Sequence, residues 1–158
     1  MDHKNISFKP IGVLHTEFNE KANVPIQPIF SKSKGTVELF PEFVQGLKDL
    51  EGFSHIILIY YFHESKGFDL EVKPFLDDKK RGVFATRSPK RPNQIGMSIV
   101  ELEKIKENIL YIKGADIIDK TPLLDIKPYI KDFDLVKESK QGWIDGKVKK
   151  NHKSDDRF

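Results

Sequence analysis

Thirteen residues, Lys79 to Arg91, carry six positive charges and no negative one. They lead into a loop pinned by prolines: Gly82-Val83-Phe84-Ala85-Thr86-Arg87-Ser88-Pro89-Lys90-Arg91-Pro92-Asn93-Gln94-Ile95-Gly96-Met97-Ser98. Proline fixes its own φ at about −65° and biases the residue before it toward extended backbone, so these polar side chains sit on a stiffened support. Only four arginines occur in the chain, and Arg87 and Arg91 are two of them. A planar guanidinium suits bidentate binding of carboxylate, phosphate or base edges. The loop is therefore a candidate for recognition rather than for solubility alone, although proline-rich turns also serve as plain connections.

Two further groups of residues could do chemistry. In Asp116-Ile117-Ile118-Asp119-Lys120-Thr121-Pro122-Leu123-Leu124-Asp125-Ile126-Lys127-Pro128-Tyr129, the side chains of Asp125, Lys127 and Tyr129 alternate with apolar ones. On a strand that alternation places a carboxylate, an ammonium and a phenol on one face. Such a face is a site wall or a cross-strand ion pair, and periodicity does not choose between them. His63-Glu64 follows directly on the apolar run 56–62. A histidine at a strand end is either structural or part of a site.

The absences narrow the chemistry. There is no Gly-x-Gly, hence no dinucleotide fingerprint and no glycine-rich phosphate cradle. Zero cysteines remove disulfides, thiolate metal sites and a cysteine nucleophile. His3, His15, His55, His63 and His152 show no His-x-x-x-His spacing, so no metal is expected. No Gly-x-Ser-x-Gly elbow supports serine hydrolysis.

These groups need elements to position them. Strands are expected over residues 8–16, 36–40, 53–63, 83–86 and 123–130, with 117–118 also regular. Residues 97–106 and 109–114 read as a hairpin around Glu107-Asn108. Pro41 opens a helix in which Phe43, Val44, Leu47 and Leu50 recur at helical spacing up to Gly52. Residues 142–146 could add a strand or turn with a docked Trp143. Short strands, frequent turns and one short helix predict a mainly β fold, a small closed β-barrel with an irregular C-terminal tail. Residues 1–146 are expected to form this one domain and 147–158 a charged, disordered tail. At 158 residues the chain can bury a core unaided. Its polar N-terminus and short apolar runs point to a cytoplasmic protein without a membrane span. A net charge of +3 favours an anionic partner modestly.

The loop 82–98, the stretch 119–129, Pro25-Ile26-Gln27-Pro28 and Phe53-Ser54-His55…Phe62-His63-Glu64 resemble one family in this order. The run Ala-Thr-Arg-Ser-Pro-x-Arg-Pro-Asn-x-Ile-Gly is similar to the TsaA/TrmO-like family, over roughly residues 11–134. The resemblance implies S-adenosylmethionine-dependent methylation of N6 in the threonylcarbamoyladenosine next to tRNA anticodons. It also implies an atypical small barrel working as a homodimer, with the cofactor near the subunit interface. Residue by residue, it implies that Pro25, Ile26, Gln27, His63, Glu64, Arg87, Met97, Asp116, Ile117, Ile118 and Asp119 hold the cofactor. Lys120 stands where the family usually has Gly, and must avoid positive φ or carry its strain.

The acceptor nitrogen in such a reaction is delocalised and a poor nucleophile, so a positioned base helps. Asp125 or His63 is the expected base. Lys127 and Arg91, with Lys90, would grip carboxylate or phosphates, and Tyr129 would stack or hydrogen-bond. Arg87 and Asn93 are expected to set site geometry and contact ligand. Two other readings remain open: a non-catalytic RNA-binding barrel, and a methyltransferase with another nucleobase or small-molecule acceptor.

Overall fold

In chain order the strands are β1 (Gly12–His15), β2 (Lys34–Leu39), β3 (His55–Tyr61), β4 (Glu71–Val72), β5 (Arg81–Gly82), β6 (Ile95–Lys106), β7 (Ile109–Lys113) and β8 (Thr121–Pro128). The computed structural model describes residues 5–21, 24–25, 32–148 and 153. Six strands close into an antiparallel barrel in the order β1-β2-β7-β6-β3-β8, while β4 and β5 pair as a small separate ribbon. Closure leaves no free sheet edge, which suits a barrel built from short strands. The expected mainly β closed barrel is the observed fold.

Period-two alternation decides what faces inward. Along β6, Gly96, Ser98, Val100 and Leu102 are buried while Ile95, Met97, Ile99 and Glu101 point out. Leu14, Val37, Ile56, Leu58, Leu110, Ile112 and Leu123 complete a fully enclosed core. The β6–β7 hairpin turns at Glu107-Asn108 as expected, with Glu107 at φ 54. The side-chain amide of Asn108 donates to the Leu39 carbonyl at 2.9 Å, fixing the hairpin tip to the end of β2.

Several local expectations need correction. Residues 83–86 are not a strand: Val83–Ala85 forms a 3-10 turn after β5. Val83 is buried, but Phe84 is 76% exposed, so the apolar run lacks a second inward partner to make it a strand. The segment after Pro41 forms 3-10 helices, Pro41–Leu47 and Leu50–Gly52, rather than one α-helix. Asp49 at φ 67 interrupts the helical path between them. The one α-helical turn among the described residues is α1 (Lys131–Asp134), which the sequence did not announce. Residues 117–118 lie in an irregular connection before β8. Lys120 does take positive φ, at 63°, and carries the strain a glycine would avoid.

Gly96 is required for packing rather than for its backbone angles. A Cβ there would lie 2.3 and 2.6 Å from the Tyr60 ring and 2.8 Å from Phe62. Those two rings meet edge-on, centroids 5.4 Å apart, against the bare backbone of β6. Gly96→Ala is expected to destabilise the fold by about 1–3 kcal/mol through overpacking, measured by denaturant unfolding.

Candidate active site

The proline-pinned loop is held by its own polar side chains. Thr86 donates its hydroxyl to the Val83 carbonyl at 2.8 Å, and the Lys90 amide donates to the Ser88 hydroxyl at 3.2 Å. Arg91 directs Nη1 to the carbonyls of Thr86 and Ser88, at 3.1 and 3.2 Å. Its guanidinium therefore ties the loop together as well as lining the cleft beside it. Lys90 lies 3.8 Å from Asp69, and Asn93 accepts the Ile95 amide through its backbone carbonyl. Neither Lys90 nor Asn93 lines the cleft.

The opposite wall is the connection from β7 to β8. Asp119 accepts the Thr16 amide at 3.0 Å and gives its own amide to the Phe18 carbonyl at 2.7 Å. Thr16 in turn donates its hydroxyl to the Ile117 carbonyl at 2.7 Å. These bonds hang the segment 116–119 from the end of β1, so Asp119 acts as a backbone tie and stands outside the cleft lining. Asp116, Ile117 and Ile118 do line it.

At the cleft floor two strands and the β7–β8 connection converge through side chains. The Ser98 hydroxyl on β6 donates to Asp116 Oδ1 at 2.7 Å. With that proton committed, the Tyr60 hydroxyl on β3 donates to Ser98 Oγ, at 2.9 Å. Burial pushes the Asp116 carboxyl up to about 7, against the smaller lowering by the Ser98 hydrogen bond and the Arg87 charge. Burial and then the Asp116 charge push the Tyr60 phenol far above its ordinary value, so it stays a neutral donor.

The cleft between these walls holds about 1340 Å³ and is open to solvent. His63, Glu64, Arg87, Met97 and Pro25 line it, together with Tyr129 and His55. Thr121 gives its hydroxyl proton to the Ile118 carbonyl at 2.7 Å, so His63 Nδ1, 3.3 Å away, must carry the proton in that contact. His63 Nε2 is 3.5 Å from Glu64. Asp125 and Lys127 sit elsewhere, paired at 2.8 Å on the outer face of β8. They face Ile59 and Ile57 across the sheet. Of the two candidate bases, His63 alone reaches the cleft. Ile26 and Gln27 lie outside the described residues, whereas Pro25 bridges Lys153. The predicted tail, 147–158, falls mostly outside them too.

Sequence reasoning missed Ser98, Tyr60, Phe84 and the role of Trp143. Trp143 donates its indole N–H to the Ala85 carbonyl at 2.7 Å, and Arg81 and Lys147 flank its ring. Both cations also bind Asp77, Arg81 at 2.7 Å and Lys147 at 3.0 Å. This clasp docks residues 141–148 at the cleft, where Gln141, Trp143, Ile144 and Val148 add to its lining. Hydrogen bonds from Lys147 and then Arg81 hold Asp77 well below the usual carboxylate range. A depressed carboxyl contributes stability above its unfolded value of about 4, which is lost as pH falls through the folded one. Trp143 is the only tryptophan, so its fluorescence reports the clasp: a steady signal down to about pH 4 and release below it. In Asp77→Asn the emission is expected to be red-shifted already at neutral pH.

Comparison with known proteins places this geometry. The model of the tRNA-methyltransferase O N-terminal domain matches residues 13–135. A "Probable S-adenosyl-L-methionine-binding protein" of Pyrococcus abyssi is 53% identical over 152 residues, covering 96% of this chain and 83% of the relative. The Mus musculus protein named tRNA (adenine(37)-N6)-methyltransferase is 41% identical, covering 82% of this chain but 32% of that protein. The crystal structure of TrmO from Pseudomonas aeruginosa aligns with a TM-score of 0.75 at 38% identity, covering 89% of this chain and 63% of that one. The chain thus spans most of the Pyrococcus relative and about a third of the mouse protein. With a matched core that runs from β1 to the turn after β8, the chain belongs to the tRNA-methyltransferase O N-terminal domain family.

Proposed function

We propose that this chain is an S-adenosylmethionine-dependent methyltransferase acting on tRNA, at N6 of the threonylcarbamoyladenosine beside the anticodon. The observation that carries this reading is the cleft floor, where the Asp116 carboxylate and the Arg87 cation meet beneath apolar walls from Met97, Ile117 and Ile95. The donor has a sulfonium cation, an amino-acid end with both charges and a flat purine. The cleft offers carboxylates at Asp116 and Glu64, a cation at Arg87 and apolar surface for the purine, so the residues fit. His63, Pro25 and the backbone of 116–118 complete the hold, with Ile26 and Gln27 from the segment beyond Pro25. When bound, the donor supplies an electrophilic methyl group. The protein's task is to align the acceptor with it and to exclude water.

A cationic loop beside that cleft suits an RNA ligand. Lys79, Lys80, Arg81, Arg87, Lys90 and Arg91 supply charge, and exposed Phe84 on the cleft lining offers a face on which an unstacked base can lie. A tRNA acceptor puts the reaction in the cytoplasm.

The working unit we infer is a homodimer. The outer face of β3 and β6 pairs Ile57 with Ile99, Ile59 with Met97 and Tyr61 with Ile95. Met97 is 44% and Tyr61 41% exposed, and with Ile95 and Ile99 they form adjoining exposed apolar side chains of the kind that mark an interaction face. Ile95, Met97 and Ile99 also line the cleft, so a second copy on this face would wall the open side of the site. The Asp125–Lys127 pair borders the same face and would reach ligand from there.

Calorimetric titration with S-adenosylmethionine tests the reading. Saturable binding with a Kd within roughly 1 μM–1 mM is expected. Protein that binds tRNA in a steeply salt-dependent way yet takes no donor would instead be an RNA-binding module.

A further inference from the structure

We propose that Asp116 takes the proton from the acceptor nitrogen, and that Ser98 and Tyr60 position its carboxylate for that transfer. The inference rests on the methyl-transfer reading above, and it assigns the base to neither Asp125 nor His63.

The geometry behind it is a hydroxyl chain through an otherwise apolar barrel. Tyr60 and Ser98 lie on the inward faces of β3 and β6, beside Leu58 and Val100, and Ser98 is 1% exposed. Polar groups at such depth are costly unless each is satisfied, and here both donors run one way, ending on Asp116 Oδ1. The carboxylate itself is half-buried and opens on the cleft. Gly96 lets the Tyr60 ring lie flat enough on β6 to reach Ser98, which links the Ile95-Gly96-Met97-Ser98 run to the base. The other carboxylates of the cleft have different partners: Glu101 lies 3.7 Å from Lys113, and Glu64 lies beside His63.

The step balances. The N6–H proton passes to the Asp116 carboxylate, and the nitrogen pair forms the N6–CH3 bond. The S–CH3 bond breaks with its pair on sulfur, and the donor leaves as a neutral thioether. The positive sulfonium and negative carboxylate become a neutral thioether and a carboxylic acid.

A carboxyl titrating at about 7 is ionised above neutrality while still basic enough to accept a proton. Ser98 on β6 and Arg87 on the loop act on it directly, and Tyr60 on β3 acts through Ser98. The cleft's other ionisable groups are Lys21, His55, His63, Glu64, Arg91, Glu101, Lys113 and Tyr129.

The test combines single-turnover methyl transfer to tRNA at saturating donor with a carbon NMR titration of the Asp116 carboxyl in protein alone. The wild-type NMR inflection should lie near 7, and the rate should rise with pH to a plateau with its inflection at or below that value, because the bound sulfonium favours the carboxylate. Asp116→Asn should lose on the order of 10²–10⁴-fold at saturating donor. Ser98→Ala removes a bond that favours the ionised form, so both inflections should move up, and Tyr60→Phe should move them the same way by less. Wild-type rates in Asp116→Asn, or a loss that saturating donor repairs, overturn the base assignment. Unmoved inflections in Ser98→Ala and Tyr60→Phe, two small changes that keep the test alive if Asp116→Asn fails to fold, overturn the positioning role. Wild-type protein that leaves tRNA unmethylated overturns the parent reading together with this one, whereas failure of this one alone leaves wild-type transfer intact.

Discussion

Ile99→Glu is expected to give a folded monomer whose methyl transfer to tRNA falls on the order of 10²-fold. Ile99 points outward from β6, opposite Ile57 on β3, and contributes nothing to the barrel interior. A carboxylate there leaves the core untouched but cannot be desolvated against a second apolar face. If that face closes the open side of the cleft, monomers hold the acceptor loosely, and a misplacement of about 1 Å suffices for the loss. Analytical ultracentrifugation and single-turnover kinetics on one sample check both halves. A dimeric variant, or a monomeric one with undiminished transfer, contradicts the shared-site reading.

The second large effect joins a loss of function to a gain in stability. Asp116→Asn is expected to stabilise the fold at pH 8 by about 1–3 kcal/mol while disabling the site. The Asp116 carboxyl is raised from 3.8 to about 7, chiefly by burial. A raised folded value means stability fully present below about pH 4 and lost as pH rises through about 7. In a sealed site that rise would amount to about 4 kcal/mol, but the cleft admits water to the carboxylate, and Arg87 loses a charge partner in the variant. Urea unfolding should show the gain of Asn over Asp to be larger at pH 8 than at pH 5. A site that holds a costly charge trades stability for function.

Much of the barrel was legible from alternation and turn residues. The buried run of β3, the inward Val100 and Leu102 of β6 and the Glu107-Asn108 turn each follow from local pattern. The specific loop motif and the Asp116–Asp119 stretch were also visible, and the fold does bring Arg87, His63, Glu64, Met97 and Asp116 to one cleft. Pairing across distant strands was not legible. Asp125, Lys127 and Tyr129 share a strand pattern, yet their surroundings depend on which face of β8 meets β3, and the register shifts between Ile59 and Tyr60. Ser98 and Tyr60 looked like ordinary members of apolar runs, because a lone hydroxyl at an inward position announces itself only when its partner is known. Trp143 could be guessed to dock, but its partner Ala85 lies 58 residues away.

Methyl transfer to a tRNA adenosine is read out by nucleoside mass spectrometry. Purified protein, S-adenosylmethionine and tRNA bearing threonylcarbamoyladenosine are incubated, and the nucleosides are digested and separated. With wild-type protein this nucleoside is expected to become one methyl group heavier at N6, and with Asp116→Asn to stay unchanged over the same time. Unmodified tRNA from folded, donor-binding wild-type protein, or methyl appearing on a different nucleoside, would overturn this reading.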